Sequence, residues 1–154
     1  MCRQVLHSDS SEDSNNPIYV RKIRFSVFIL LCVLIPLGFA TKWYQGPAAE
    51  WMHRYAGDIL YPMFWYFVGV FLVPRANPWV LGLLVLACST VVEFTQLFNT
   101  PLLEWLRQSF IGRTLVGVSF SVTDIVYYVV GSLLAVVVHM GLNFLVFPAP
   151  ASKP

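Results

Sequence analysis

Apolar residues fall into four runs along the chain, set apart by polar or turn-forming stretches. The runs extend over Ile23 to Ala40, Ile59 to Val73, Trp79 to Phe98 and Val122 to Phe147. The third has the ~20 residues that a helix needs to cross a bilayer, and the others are read as spans with it. Pro74-Arg75-Ala76-Asn77-Pro78 closes the second run with two turn-forcing prolines, and Pro148-Ala149-Pro150 stops the fourth. Apolar and polar residues do not alternate at period two, as β-barrel strands would. In hydrocarbon a single segment can satisfy its own backbone groups only as a helix. The pattern therefore predicts an all-α fold, an integral membrane four-helix bundle over residues 23–147. Residues 1–22, with the tract Ser8 to Pro17, read as a disordered polar tail, and residues 148–154 as a C-terminal tail.

Composition supports a lipid-covered chain. Of 154 residues, 57% are hydrophobic and 12% charged, against roughly 45–50% and about 25% in soluble domains. A mean hydropathy of +0.66 makes the lipid bilayer the first partner. The net charge is only +2, and the basic residues form no stripe, so nucleic acid is not an expected partner. Cys2, Cys32 and Cys88 show no disulfide or metal spacing. Gly38-Phe39-Ala40 would suit signal-peptide cleavage, but the first run exceeds the usual apolar core of about 7–15 residues, so a retained span is favoured.

Basic residues set the expected orientation. Arg3, Arg21, Lys22, Arg24, Arg75 and Lys153 share one side of a four-span topology; Lys42, Arg54, Arg107 and Arg113 share the other. The bias predicts both termini in the cytoplasm. Five acids, Glu50, Asp58, Glu93, Glu104 and Asp124, then lie at or near the outer face.

Candidate chemistry gathers at that face. Ser89, Glu93, Gln96 and Thr100 form one polar stripe at helical spacing. With the helix running to Phe98, Glu93 would sit about 7.5 Å inside its end at 1.5 Å per residue, a depth at which an ionisable residue is a functional candidate. It is expected to pair with Arg113 or to glue helices together as a neutral group. Ser121-Val122-Thr123-Asp124 fits a capping box at the start of span four. Asp124, Tyr128, Gly131 and Ala135 share a stripe whose small residues admit a neighbouring helix. Asp58 reads either as the N-cap of span two, with Pro62 in its first turn, or as a third acid at the same level.

Between spans three and four, Leu102, Leu103, Leu106 and Phe110 recur at helical spacing beside Trp105 and Arg107. That predicts an amphipathic segment lying in the membrane interface. Arg107 reads as a headgroup anchor, and Arg113, between Gly112 and Gly117, as a partner for the acids or for an anionic headgroup. The pocket candidates are thus Glu93, Gln96, Arg113, Asp124, Asp58, Arg107 and Tyr128. No H-E-x-x-H, G-x-S-x-G, P-loop or G-x-G-x-x-G occurs, so neither a metal nor a cofactor is expected and no reaction is identified.

Glu93-Phe94-Thr95-Gln96 ending one span, then Arg113, then Ser121-Val122-Thr123-Asp124 opening the next with Gly131 inside it, resembles the VanZ-like bacterial membrane proteins. Gly57-Asp58, and Gly117-Val118-Ser119-Phe120-Ser121 before Asp124, look more closely like a small bacterial family described as a domain of unknown function. Tyr128 stands where VanZ-like sequences commonly carry Asn, and Ala135 where they often carry Gly. The resemblance implies a multi-pass protein of the bacterial cytoplasmic membrane and, through VanZ, an effect on glycopeptide susceptibility. The expected function is binding of a lipid-linked or polar cell-envelope component in an outward-facing pocket. Alternatives are an intramembrane enzyme using Glu93 and Asp124 as acid and base, and a small transporter, which the one-sided polarity disfavours.

Overall fold

A computed structural model describes residues 17–98, 100–109, 112 and 120–146. These form an all-helical structure: α1 (Pro17–Trp43), α2 (Ala49–Leu72), α3 (Pro78–Thr95), α4 (Pro101–Gln108) and α5 (Val122–Val146). Helices α1, α2, α3 and α5 are long and apolar enough to cross a membrane. Side chains such as Phe25, Leu83, Val126 and Phe144 are more than half exposed around the bundle, a surface stable only against lipid.

Local chemistry sets several boundaries. The Asn77 side chain accepts from the amides of Trp79 (2.9 Å) and Val80 (3.4 Å), with Pro78 at the first helical position, so α3 starts with its orphan donors satisfied. Thr100 does the same for α4, accepting from Leu103 N–H ahead of Pro101. At the far end of α2, Arg24 donates to the Phe71 carbonyl (3.1 Å) and the Leu72 carbonyl (3.4 Å), which have no intrahelical donor.

Other boundaries differ from the sequence pattern. α1 begins at Pro17, so residues 17–22, assigned to the tail, are helical; proline suits a first turn, and Tyr19 O–H donates to Asn143 Oδ1 of α5 at 3.0 Å. The rest of that tail, and the C-terminal one, lie outside the described residues. α2 reaches back to Ala49 through a π-helical turn, Met52–Ala56, where a loop was expected. Asp58 is therefore no N-cap but lies inside a helix, and Pro62 sits in the helix interior. Proline lacks the N–H that would bond the carbonyl four residues back, which is that of Asp58. α3 ends at Thr95, short of Phe98, so Glu93 sits in its last turn.

α2 and α5 form the centre of the bundle; α1 packs on α2, while α3 packs chiefly on α5 and over a smaller area on α2. Two glycines set the closest approaches. A Cβ on Gly131 of α5 would meet the Ile59 carbonyl and lie 2.7 Å from Pro62 Cγ, and one on Gly82 of α3 would lie 2.7 Å from Val136 Cγ2. Ile23, Val27, Phe67, Val70, Ala135 and Val136 fill the core. A polar pair is set into it: Tyr66 O–H donates to the Pro78 carbonyl (3.3 Å) and lies 2.8 Å from His139 Nδ1, both side chains being buried.

Candidate functional site

The helices join so that α1 and α3 end where α2 and α5 begin. Every described acid, Glu50, Asp58, Glu93, Glu104 and Asp124, lies at or beside that end, whereas Arg21, Lys22, Arg24 and Arg75 lie at the other. The described acids are therefore confined to one end, which they share with Lys42, Arg54 and Arg107.

Glu93 is the anchor of this carboxylate end, with no exposed surface. Its Oε1 accepts from Ser121 N–H at 2.7 Å; its Oε2 accepts from Tyr128 O–H and from Gln96 Nε2, each at 2.9 Å. Two of the donors belong to the last helix and its entry. Ser121 N–H is the donor that the predicted capping box would assign to Asp124; here a carboxyl from α3 accepts it instead, so Glu93 caps α5 from a different helix. The site combines a side chain in the last turn of α3 with the electropositive start of α5. Phe94 and Phe120, with ring centroids 5.6 Å apart, hold the two segments together beside it.

Removing Asp124 from the capping role leaves its carboxyl for other use. Asp124 and Asp58 are both partly exposed, and among the described residues neither carboxyl is engaged in a hydrogen bond. Asp58 lies within electrostatic range of Asp124, Glu93 and Lys42. Asp58, Asp124 and Glu93 all act electrostatically on the Tyr128 hydroxyl. The three acids thus share one end of the bundle within electrostatic range of one another. Among the described residues, no three His, Cys, Asp or Glu side chains group closely enough to hold a metal ion.

Lys42, at the end of α1, is the cation that sequence reasoning missed. Its amine donates to the His53 carbonyl at 3.4 Å and would lie 3.9 Å from a Cβ on Gly57, placing it over the start of α2 beside Asp58. No local motif marks it; only the packing of α1 on α2 does. An aromatic wall was also missed as a unit. Tyr55 and Tyr127 stack at 4.5 Å between centroids, Trp51 meets Tyr127 edge-on at 6.1 Å, and Trp51 Nε1 donates to the Tyr127 hydroxyl at 3.2 Å. These residues are close in sequence to Asp58 and Asp124, so the wall stands beside the two partly exposed acids.

Of the other predicted members, Gln96 is drawn in by Glu93, and its Oε1 is buried without a partner. Arg107 falls in the last turn of α4, an amphipathic helix without extensive packing on the long helices, with Leu102 and Trp105 largely exposed. Arg113 lies outside the described residues, as do Phe110 and Gly117. The described partners of Glu93 are Ser121, Tyr128 and Gln96.

Residues 48–132 match the family described as "Protein of unknown function (DUF2809)", a stretch that contains Asp58, Glu93, Asp124 and Tyr128. The chain belongs to the DUF2809 family. No solved structure matches it. The matched region of this DUF2809 protein begins just before the extended α2 and ends inside α5. It therefore includes the close approach at Gly131 and every described hydrogen bond to Glu93, but not Lys42.

Proposed function

We propose that this DUF2809 protein is a VanZ-like multi-pass protein of the bacterial cytoplasmic membrane, with both termini in the cytoplasm. Its carboxylate end binds a polar or lipid-linked cell-envelope component and thereby affects glycopeptide susceptibility. The observation that carries this reading is the division of labour among the acids. Glu93 is buried with both oxygens engaged, whereas Asp58 and Asp124 are partly exposed and, among the described residues, neither carboxyl is hydrogen-bonded, with Lys42 near Asp58. Carboxyl groups held in place by helix packing and partly exposed at the end of the bundle are suited to hydrogen-bond a ligand. Glu93, Tyr128 and Gln96 then serve as the frame that positions the start of α5, with Arg107 of α4 as a candidate for the polar rim.

Mass spectrometry of molecules that co-purify with the gently solubilised protein tests the reading. A retained envelope component should be lost from the Asp58→Asn/Asp124→Asn double variant while expression and helix content stay normal. Identical co-purifying molecules in both proteins would rule the site out.

A further inference from the structure

α5 carries polar side chains along the face that it turns into the bundle. Tyr128, Ser132 and His139 are buried, and Asn143 is half-buried where it accepts from Tyr19 of α1. Together with Asp124 they follow one another at steps of four, four, seven and four residues, which keeps them on a single helix face. From Asp124 to Asn143 this stripe rises roughly 28 Å at 1.5 Å per residue, close to the ~30 Å of a bilayer's hydrocarbon core. Neighbouring helices add polar partners along it: Glu93 bonds Tyr128, and Tyr66 bonds His139. Ser89, also buried, lies two turns along α3 from Gly82. Because Gly82 packs on Val136 and the two helices run antiparallel, Ser89 stands beside the segment between Tyr128 and Ser132. Polarity, which the sequence gathers at one face, therefore continues through the core. Two atoms in the middle of the stripe, Ser132 Oγ and His139 Nε2, are buried without a hydrogen-bond partner among the described residues. They belong to residues two turns apart on the same face, with the fully buried Ala135 between them. Long helical side chains lean toward the helix N-terminus, which brings the imidazole back over Ala135 toward Ser132.

We propose that this stripe carries protons between the acid end of the bundle and the opposite end, with His139 as the relay and water as the bridge over Ala135. The proposal goes beyond the ligand-binding reading and does not depend on it. Buried polar groups of native proteins are paired, and a water that joins two such orphans satisfies both. From the acid end, a proton passes Tyr128, Ser89 and Ser132 and reaches His139 Nε2 through water. The imidazolium then releases its other proton from Nδ1 to the Tyr66 oxygen, 2.8 Å away, as the Tyr66 hydroxyl gives up its own proton toward the half-exposed Pro78 carbonyl and water at the turn before α3. Each transfer forms one N–H or O–H bond and breaks another, so no oxidant or reductant is consumed. Reorientation of the ring and the hydroxyl resets the chain for the next proton. The surroundings suit a group that does not keep its charge. His139 meets Tyr66 of α2, Tyr19 of α1 engages Asn143 one turn away, and Arg24 of α1 is taken up by the Phe71 and Leu72 carbonyls. Arg75 lies at the same end, where there is no described acid to hold an imidazolium in place.

The full-length protein in liposomes that enclose a pH-sensitive dye provides the test, with a potassium gradient and valinomycin setting a negative interior. The lumen should acidify faster than in protein-free liposomes. His139→Phe and Ser132→Ala should return the rate to the protein-free level, and Gly38→Ala, remote from the stripe, should leave it unchanged. Ala135→Ser places a hydroxyl between the two orphan atoms at little change in volume and should raise the rate several-fold; a purely structural His139 predicts no such gain. Circular dichroism establishes that each variant is folded. If His139→Phe does not fold, Ser132→Ala and Ala135→Ser decide. A wild-type rate equal to that of protein-free liposomes overturns the proposal. So does a folded His139→Phe or Ser132→Ala that conducts like wild type, or an Ala135→Ser that is no faster. None of these results touches the dependence of a co-purified ligand on Asp58 and Asp124, which tests the binding reading alone.

Discussion

Replacing Glu93 with Leu keeps roughly the same volume but deletes every acceptor at the point where α3 meets α5. Three donors lose their partner: Ser121 N–H, Tyr128 O–H and Gln96 Nε2. Gln96 is only partly buried and can turn outward, so the cost falls on the other two. Interhelical hydrogen bonds in membranes average ~0.6 kcal/mol and reach ~1.7, while stranding a buried donor costs about 1–3 kcal/mol. Two such losses predict a destabilisation of about 2–3 kcal/mol. Glu93→Gln retains one acceptor oxygen and should cost roughly half as much; Tyr128→Phe should cost about 0.6–1 kcal/mol. Detergent-driven unfolding in mixed micelles, followed by circular dichroism, measures each variant. The double variant Glu93→Leu/Tyr128→Phe should be less destabilised than the sum of its parts, because the stranded hydroxyl is gone. Strict additivity, or a cost for Glu93→Gln equal to that for Glu93→Leu, would refute the assignment of Glu93 as the acceptor that fastens α5.

Gly131→Ala forces a Cβ onto the Ile59 carbonyl and Pro62 and should destabilise by about 1–3 kcal/mol in the same unfolding assay. Gly38→Ala, with nothing near its Cβ, should be neutral or slightly stabilising. Tyr66→Phe removes the hydroxyl shared by His139 and the Pro78 carbonyl and should cost about 1–3 kcal/mol, since it strands a buried imidazole nitrogen. Thermal unfolding that is unchanged by the substitution would show that this pair adds nothing to packing. Reporter fusions and cysteine accessibility should place Arg21 and Arg75 in the cytoplasm and Lys42 and Glu104 outside; the reverse result would invert the proposed site to the cytoplasmic face.

The spans were legible because a single periodic signal, apolar runs bounded by prolines and polar clusters, suffices to locate helices in lipid. Gly131 was legible for a similar reason: small residues four apart mark close approach whatever lies opposite. Local signals failed where tertiary contacts override them. Residues 49–57 carry Trp, His, Arg and Gly in a pattern without helical periodicity, yet they are helical, pinned by Trp51 and Tyr55 against Tyr127 and by Lys42 over the His53 carbonyl. Pro62 misled in the same way. It was read as a first-turn residue because proline is favoured there, but in the interior of a long helix its missing N–H is tolerated, and the cost falls on the Asp58 carbonyl at the polar end.

The capping box shows most directly why the roles of the acids stay open at the level of sequence. Serine followed three residues later by an acid is sufficient, locally, to close the start of a helix, and that reading makes Asp124 structural, while Glu93 reads either as a functional group or as a glue between helices. Once Glu93 accepts Ser121 N–H, the deeply placed acid holds the framework, and the acid that looked like a cap has no hydrogen bond among the described residues. No one-dimensional pattern distinguishes these cases, because both satisfy the same backbone donor with the same chemical group. Only the side-by-side packing of α3 and α5, with Gly82 close against Val136 along the helices and Phe94 against Phe120 at their polar end, decides which carboxyl is spent on the fold.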